Sequence, residues 1–348
     1  MNYIAYIGCR TTKERNARGE GIRVMQVSNG KWTELQLVKD LPNPSFQCMD
    51  HTGNYLYSIH GDFSEISAFS VAENGMLSYL NTVSTGGVNP VHLSVDKTNR
   101  WVFVANLQTG TVAVIPRGKD GRLLPLAHQY TIPGIESGCV SHPHQVTQDP
   151  DGNYLIVSCQ GRKAGFGQVN VFRIHSDDGT LEKTCTVKSR EIAEPRHLVF
   201  HPTGAWCYGV NEKDYTVTAY GFDAHKGILT PRQILPTLPD TYTGDGWASG
   251  IIMMSDGGYV VVSNRKHDSM TSFQIQKDGL LKYCDCVKTG GGQPRFITGS
   301  PWGTILAANE TTDTITEFQL DKQTGQFLYT GTTIQSKSPV CITFRQPS

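Results

Sequence analysis

The chain has 348 residues, with 31 Lys and Arg against 31 Asp and Glu, nine cysteines, 36 glycines and 17 prolines. A balanced charge argues against nucleic acid or a membrane surface as the main partner, although a local basic pocket remains compatible with it. An odd number of cysteines without CxxC spacing excludes a disulfide framework and a zinc-finger pattern, and abundant Gly and Pro suit many short strands joined by turns.

The N-terminal stretch MNYIAYIGCRTTKERN starts directly in strand-like alternation and lacks the basic region, apolar run and cleavage site of a secretory leader. No stretch approaches membrane-spanning length, so a cytoplasmic location is expected. Residues 2–8 match the second strand of a unit that recurs along the chain, and Gly21–Val27 and Thr33–Leu37 supply two further strands.

The clearest copy of that unit is Glu194 to Glu212, EPRHLVFHPTGAWCYGVNE. It reads as a strand over Arg196–His201, a turn at Pro202-Thr203-Gly204 and a strand over Ala205–Val210. Copies open at Pro44, Pro90, Pro143, Pro195, Ala248, Pro294 and Pro339, with turn residues at Gly53, Asn99, Gly152, Gly204, Gly257 and Gly303. A spacing of roughly 45 to 54 residues is that of a four-stranded propeller blade.

Third strands follow at Ile66–Val71, Thr111–Ile115, Gln168–Ile174, Thr216–Phe222, Ser269–Ile275 and Thr314–Leu320, all rich in β-branched and aromatic residues. Gly-containing turns then open fourth strands at NGMLSYL, DGRLLPL, DGTLEKT, KGILTPR, DGLLKYC and TGQFLYT. The first unit lacks an opening strand, and the last copy, PVCITFR, has nothing after it. The expectation is an all-β, seven-bladed propeller forming one domain over residues 1–348, its first blade built from residues 1–41 plus 338–345. Closing the ring this way removes exposed sheet edges. Long connections at Ile132–His142, Arg162–Gly167 and Thr237–Trp247 are expected to carry the binding surface.

In an antiparallel blade the start of the first strand and the end of the second lie at the same end of the ring. The aligned positions are Ser45, Val91, His144, Arg196, Ser249, Arg295 and Val340 on the first strands. On the second strands they are Gly8-Cys9, His60-Gly61, Asn106-Leu107, Cys159-Gln160, Asn211-Glu212, Asn264-Arg265 and Asn309-Glu310. One channel mouth would gather His144, Arg196, Arg265, Arg295, Glu212 and Glu310. Arginines there suit a small anion, and a carboxylate or imidazole beside them can move a proton.

Structural roles compete with functional ones at several positions. Asn211, Asn264 and Asn309 recur as turn formers as well as candidate ligands, and Arg295 with Glu310 could brace neighbouring blades. His197 is expected on the opposite sheet face from Arg196, as a packed histidine, and His92 lies one place deeper than His144. No catalytic-serine elbow, phosphate-binding glycine loop or HExxH sequence occurs. Arginines at the mouth disfavour a calcium site.

The stretches HPHQVTQDPDGNYLIVS (142–158), PRHLVFHPTGAWCYGVNE (195–212), SDGGYVVVSNRKHDS (255–269) and QPRFITGSPWGTILAANETTDTITEFQLDKQTGQF (293–327) resemble the seven-bladed propeller lactonases. That family includes bacterial 6-phosphogluconolactonase and fungal carboxymuconate cyclase. The resemblance covers essentially the whole chain and implies a catalytic set of His144, Arg196, Glu212 and Arg265, with neither metal nor organic cofactor. Two departures lie near the mouth: Cys159-Gln160-Gly161 with the following RKAGFG, and Ser249-Gly250-Ile251-Ile252.

The reading that follows is a lactonase acting on a small anionic sugar lactone or sugar acid, as a monomer or homodimer without nucleic-acid or membrane partners. Arg196 and Arg265 polarise the carbonyl, Glu212 or His144 activates water, and Arg295, Asn211, Asn264, Asn309, Glu310 and His92 contact substrate. The alternatives are a carboxymuconate cyclase-like lactonising enzyme and a non-catalytic binding propeller.

Overall fold

A computed structural model describes residues 2–134, 136–162 and 167–345. Met1, Ile135, residues 163–166 and residues 346–348 lie outside that description, and with them most of the RKAGFG segment. Among the described residues, strands β1 to β28 form seven four-stranded antiparallel sheets arranged as a ring of blades.

The innermost strands are β4 (Pro44–Met49), β8 (Pro90–Val95), β12 (His142–Gln148), β16 (Pro195–Phe200), β20 (Ala248–Met253), β24 (Pro294–Gly299) and β28 (Pro339–Arg345). Each contacts the next around the ring, and β28 touches both β24 and β4. The second strands are β1 (Asn2–Cys9), β5 (Tyr55–His60), β9 (Trp101–Asn106), β13 (Tyr154–Gln160), β17 (Trp206–Asn211), β21 (Tyr259–Asn264) and β25 (Ile305–Asn309). The first blade has the order β28-β1-β2-β3, with β2 at Ile22–Ser28 and β3 at Lys31–Val38. The last strand of the chain therefore supplies the inner strand of the first blade.

One strand differs from expectation. DGRLLPL does not pair as an outer strand; a single bridge joins Arg117 to Leu123, and the fourth strand is the short β11 (His128–Thr131). Pro125 lacks the N–H a ladder needs, which pushes the pairing downstream.

The core lies between blades. Tyr208, Val210, Ala248, Val260, Val262 and Phe273 form one apolar cluster shared by consecutive blades, and full burial of such a side chain is worth roughly 1.5–3 kcal/mol. Aromatic donors tie several blades to the outer turn of the next. The hydroxyls of Tyr57 and Tyr208 donate to the carbonyls of Gly121 and Gly279 at 3.0 Å, and the Trp101 indole donates to Ser176 O at 3.0 Å.

A recurring irregularity at the inner strands positions the site. Pro195 pairs with Asn211 but His197 pairs with Val210, so Arg196 is skipped. The same slip skips Ser45, Val91, His144, Arg295 and Val340, and in β20 it skips both Ser249 and Gly250. A bulge leaves the extra residue free of the ladder and re-aims its side chain. Seven bulges at equal height point a ring of side chains at the hub.

Candidate functional site at the channel mouth

A second ring lies beside the first. The residue after each second-strand partner is Arg10, Gly61, Leu107, Glu212, Arg265 or Glu310, with Gln160 at the same place in the fourth blade. Polarity is uneven around the hub. The second and third blades offer Ser45, Gly61, Val91 and Leu107 and the fourth His144 and Gln160, whereas the fifth to seventh and the first carry the Arg and Glu residues of the two rings.

Glu212 is the node. Arg196 Nε donates to its Oε2 at 3.1 Å, Gln160 Nε2 donates to the same oxygen at 2.9 Å, and Arg265 Nη2 lies 2.9 Å from Oε1. Burial alone would raise this carboxyl, but Arg265 and Arg196 outweigh it and hold it at about 2. Glu212 is an anion at any working pH. The guanidiniums of Arg196 and Arg265 are only 3% and 7% exposed. Arg196 Nη1 also donates to Ser249 O at 2.9 Å, and Ser249 Oγ donates to Arg295 O at 2.7 Å. Gln160 thus supports Glu212 through its side chain, whereas position 249 supports Arg196 through its main-chain carbonyl. Arg162 Nε extends the chain of contacts by donating to Gln160 Oε1 at 3.0 Å.

His144 and His197 line the same cup as Arg196 and Arg295. The expectation that His197 turns to the opposite sheet face is incorrect. The bulge at Arg196 breaks the alternation, and the His197 ring stands 3.4 Å from Arg196 Nη1 and 5.2 Å from the His144 ring. Burial, then the charge of Arg196, pushes both imidazoles well below the ordinary histidine value. They are neutral at pH 7, and His144 Nδ1 has no hydrogen-bond partner among the described residues.

The other expected contacts divide. Arg295 and Glu310 reach the mouth, 3.9 Å apart, which is a loose ion pair. Asn211 and Asn309 direct their amides into the blades, to Thr216 and Thr218 and to Thr314 and Thr316. Asn264 likewise donates to Thr237 O, Ser269 and Thr271. His92 lies beneath the cup, its ring 4.1 Å from Phe46 and 5.5 Å from His197. Burial pushes His92 down to about 3.

Arg10 is the residue that strand matching missed. Aligning the first blade on Gly8-Cys9 sets it one residue early, because Cys9, not Gly8, pairs with the opening proline. Corrected by that residue, Arg10 occupies the same position as Glu212, Arg265 and Glu310. Its side chain is 3% exposed and bonds Asp62 at 3.1 Å. At the rim, Arg265, Lys213 and Lys266 surround the Trp247 ring at 5.4, 4.7 and 4.5 Å.

Phe46, His92, His197 and Phe296 close the channel below the cup. The space enclosed among the side chains is small, about 20 Å³, room for about one water. A ligand must therefore sit over the mouth. A larger cavity, about 650 Å³, lies beyond the plug at the other end, its lining including Phe200, Ile252, Met253 and Met254 and no Lys, Arg, Asp or Glu. Among the described residues, no group of three or more His, Cys, Asp or Glu is placed to hold a metal ion.

Comparison with known proteins agrees with this architecture. Residues 4–344 match the family described as Lactonase, 7-bladed beta-propeller. The chain is 30% identical to the 6-phosphogluconolactonase of Bacillus subtilis over 352 residues, covering 98% of each. A candidate 6-phosphogluconolactonase from Bacteroides fragilis superposes with a TM-score of 0.86 at 27% identity, over 99% of this chain and 98% of that one. The periplasmic gluconolactonase of Pseudomonas aeruginosa shares the fold, with a TM-score of 0.89 at 24% identity over 99% of each chain. With the family matched end to end on a ring whose seven bulges feed one charged hub, this chain belongs to the seven-bladed β-propeller lactonases.

Proposed function

We propose that the protein hydrolyses a small anionic sugar lactone, most simply an aldonolactone or its 6-phosphate, at the Arg196–Glu212–Arg265 node. The observation that carries the reading is that node: two buried guanidiniums pinned by one carboxylate beside a neutral imidazole. The named activity of the Bacillus subtilis relative supports the substrate class.

Preorganised guanidinium donors stabilise the charge that develops on a lactone carbonyl oxygen. Glu212 holds Arg196 and Arg265 in place, and a carboxyl held at about 2 is a feeble base. His144, neutral and with an unpartnered Nδ1, has a ring nitrogen free to accept a proton from water. The water oxygen bonds to the carbonyl carbon, and its proton passes to His144. The ring C–O bond then breaks, and His144 returns that proton to the departing alkoxide. The products are one sugar acid and no free leaving group.

All nine cysteines are free thiols, which fits a reducing cytoplasm as the place of action, and no helix among the described residues is long and apolar enough to cross a membrane. The test is proton release from a panel of plain and phosphorylated sugar lactones, with spontaneous opening subtracted. Wild type accelerates at least one of them, and Arg196→Ala and Glu212→Gln lower kcat/KM by a factor of about 100 or more, the scale of losing a transition-state donor. Full activity in either variant refutes the assignment. Loss of carboxymuconate absorbance without lactone hydrolysis would favour the lactonising chemistry instead.

A further inference from the structure

From the arrangement of Arg10 and Arg295 on adjoining blades, we infer an oxyanion subsite, beside the Arg196–Glu212–Arg265 node, that seats the phosphate monoester of the substrate. The inference rests on the lactonase reading and adds to it the residues that recognise the distal charge.

Arg10 and Arg295 come from the first and seventh blades, which meet where β28 packs on β24. Both line the same cup as His144 and Arg196. Each is under-compensated. Among the described residues Arg295 is ion-paired only loosely, to Glu310 at 3.9 Å, with a longer-range attraction from Glu212. Arg10 shares its carboxylate partner, Asp62, with Arg15 and with the Asn43 amide. Burial and the charge of Arg295 together depress the Arg10 guanidinium to about 10. Two buried guanidiniums that repel each other are stabilised by an oxyanion seated over the mouth against them, since the space among the side chains below holds only about one water.

The sequence around Arg10 keeps it there. A Cβ at Gly61 would lie 2.5 Å from Arg10 Nη1 and 2.5 Å from Ser45 Oγ, so the missing side chain at position 61 is the space the guanidinium occupies. The neighbouring second and third blades contribute only Ser45, Gly61, Val91 and Leu107 to the two rings. A lactone ring over the fifth and sixth blades places a terminal phosphate at the seventh and first. Arginine is suited to that role because it holds phosphate through paired donors.

The experiment compares 6-phosphogluconolactone with gluconolactone on wild type, Arg10→Met and Arg295→Met, with Arg295→Lys as the conservative variant. Each Met variant is expected to lose about tenfold to a hundredfold more kcat/KM on the phosphorylated lactone than on the plain one, the scale of a charge-assisted hydrogen bond. The loss should fall mainly on KM, and Lys should recover part of it. In parallel, calorimetric titration with 6-phosphogluconate should show weaker binding to both Met variants than to wild type. Equal loss on both lactones, with unchanged phosphogluconate binding, overturns the subsite. If wild type opens neither lactone, the function proposed above fails while the titration still decides the subsite. If a Met variant does not fold, as judged by thermal melting, the Lys variant and competition of wild type by inorganic phosphate give the answer. Competition against the phosphorylated lactone that Arg295→Lys weakens supports the proposal, and its absence overturns it.

Discussion

Acid should unfold this protein through the layer that plugs its channel. His92, His144 and His197 are 8%, 5% and 8% exposed, and burial holds all three below the ordinary histidine range, His92 at about 3. An unfolded chain protonates histidine near pH 6.5, whereas these folded sites do not, so the sign is fixed. Stability is complete above about pH 6.5 and falls as the pH drops, because the unfolded state binds protons the native state refuses. One such site costs about 1.4 kcal/mol per pH unit below its unfolded value, or about 2 kcal/mol by pH 5. His144 and His197 are shifted in the same direction and add to that loss. Urea melts at pH 7.5 and pH 5.0 measure the difference, with His92→Phe as the probe. Phenylalanine replaces a ring already stacked 4.1 Å from Phe46 and cannot take a proton. The variant should lose about 2 kcal/mol less than wild type between the two pH values. Any uniform packing penalty cancels in that comparison. A wild-type change under 1 kcal/mol, or an identical change in the variant, would refute the reasoning.

Other consequences are equally direct. Glu212→Gln leaves Arg196 and Arg265 buried without their carboxylate, so chemical denaturation should show about 3–5 kcal/mol of lost stability, the usual cost of breaking a buried pair. If His144 is the base, kcat/KM should stay flat from pH 8 to about 6 and fall only in more acid solution, as the neutral imidazole becomes protonated; a fall centred near pH 7 would count against it. Truncation before Pro339 removes the inner strand of the first blade and strips β1 of one partner, so the shortened chain should lose its cooperative melt. Tyr208→Phe removes the inter-blade bond to Gly279 O and should lower stability by about 1 kcal/mol.

The sequence disclosed the blades because each one repeats the same physics. Prolines open the inner strands, glycine at positive φ makes the hairpin (Gly204, φ 74°), and period-two alternation fills the spaces between blades. Closure by PVCITFR was legible for the same reason: a first strand with no second. The failures share one cause, a single-residue change of register. Alternation assigned His197 to the far face because a bulge leaves no mark in composition. The Gly8-Cys9 alignment hid Arg10 behind a slip of one residue. The asparagines shared the height of the charged ring, yet Thr216, Thr218, Thr314 and Thr316 capture their amides, and only side-chain geometry reveals that. His92 is one place deeper in sequence and one layer deeper in the channel, on the far side of Phe46. Of the two departures near the mouth, Gln160 bonds the node through its side chain and Ser249 through its main-chain carbonyl.

The central claim is that the buried arginine–glutamate node at the hub opens a lactone. Its most direct test is the initial rate of proton release from 6-phosphogluconolactone, corrected for unaided opening, with purified wild type and Arg196→Ala side by side. The account predicts clear acceleration by wild type and a reduction of about a hundredfold or more in the variant. Equal rates for the two proteins, on a substrate that wild type does hydrolyse, would contradict it.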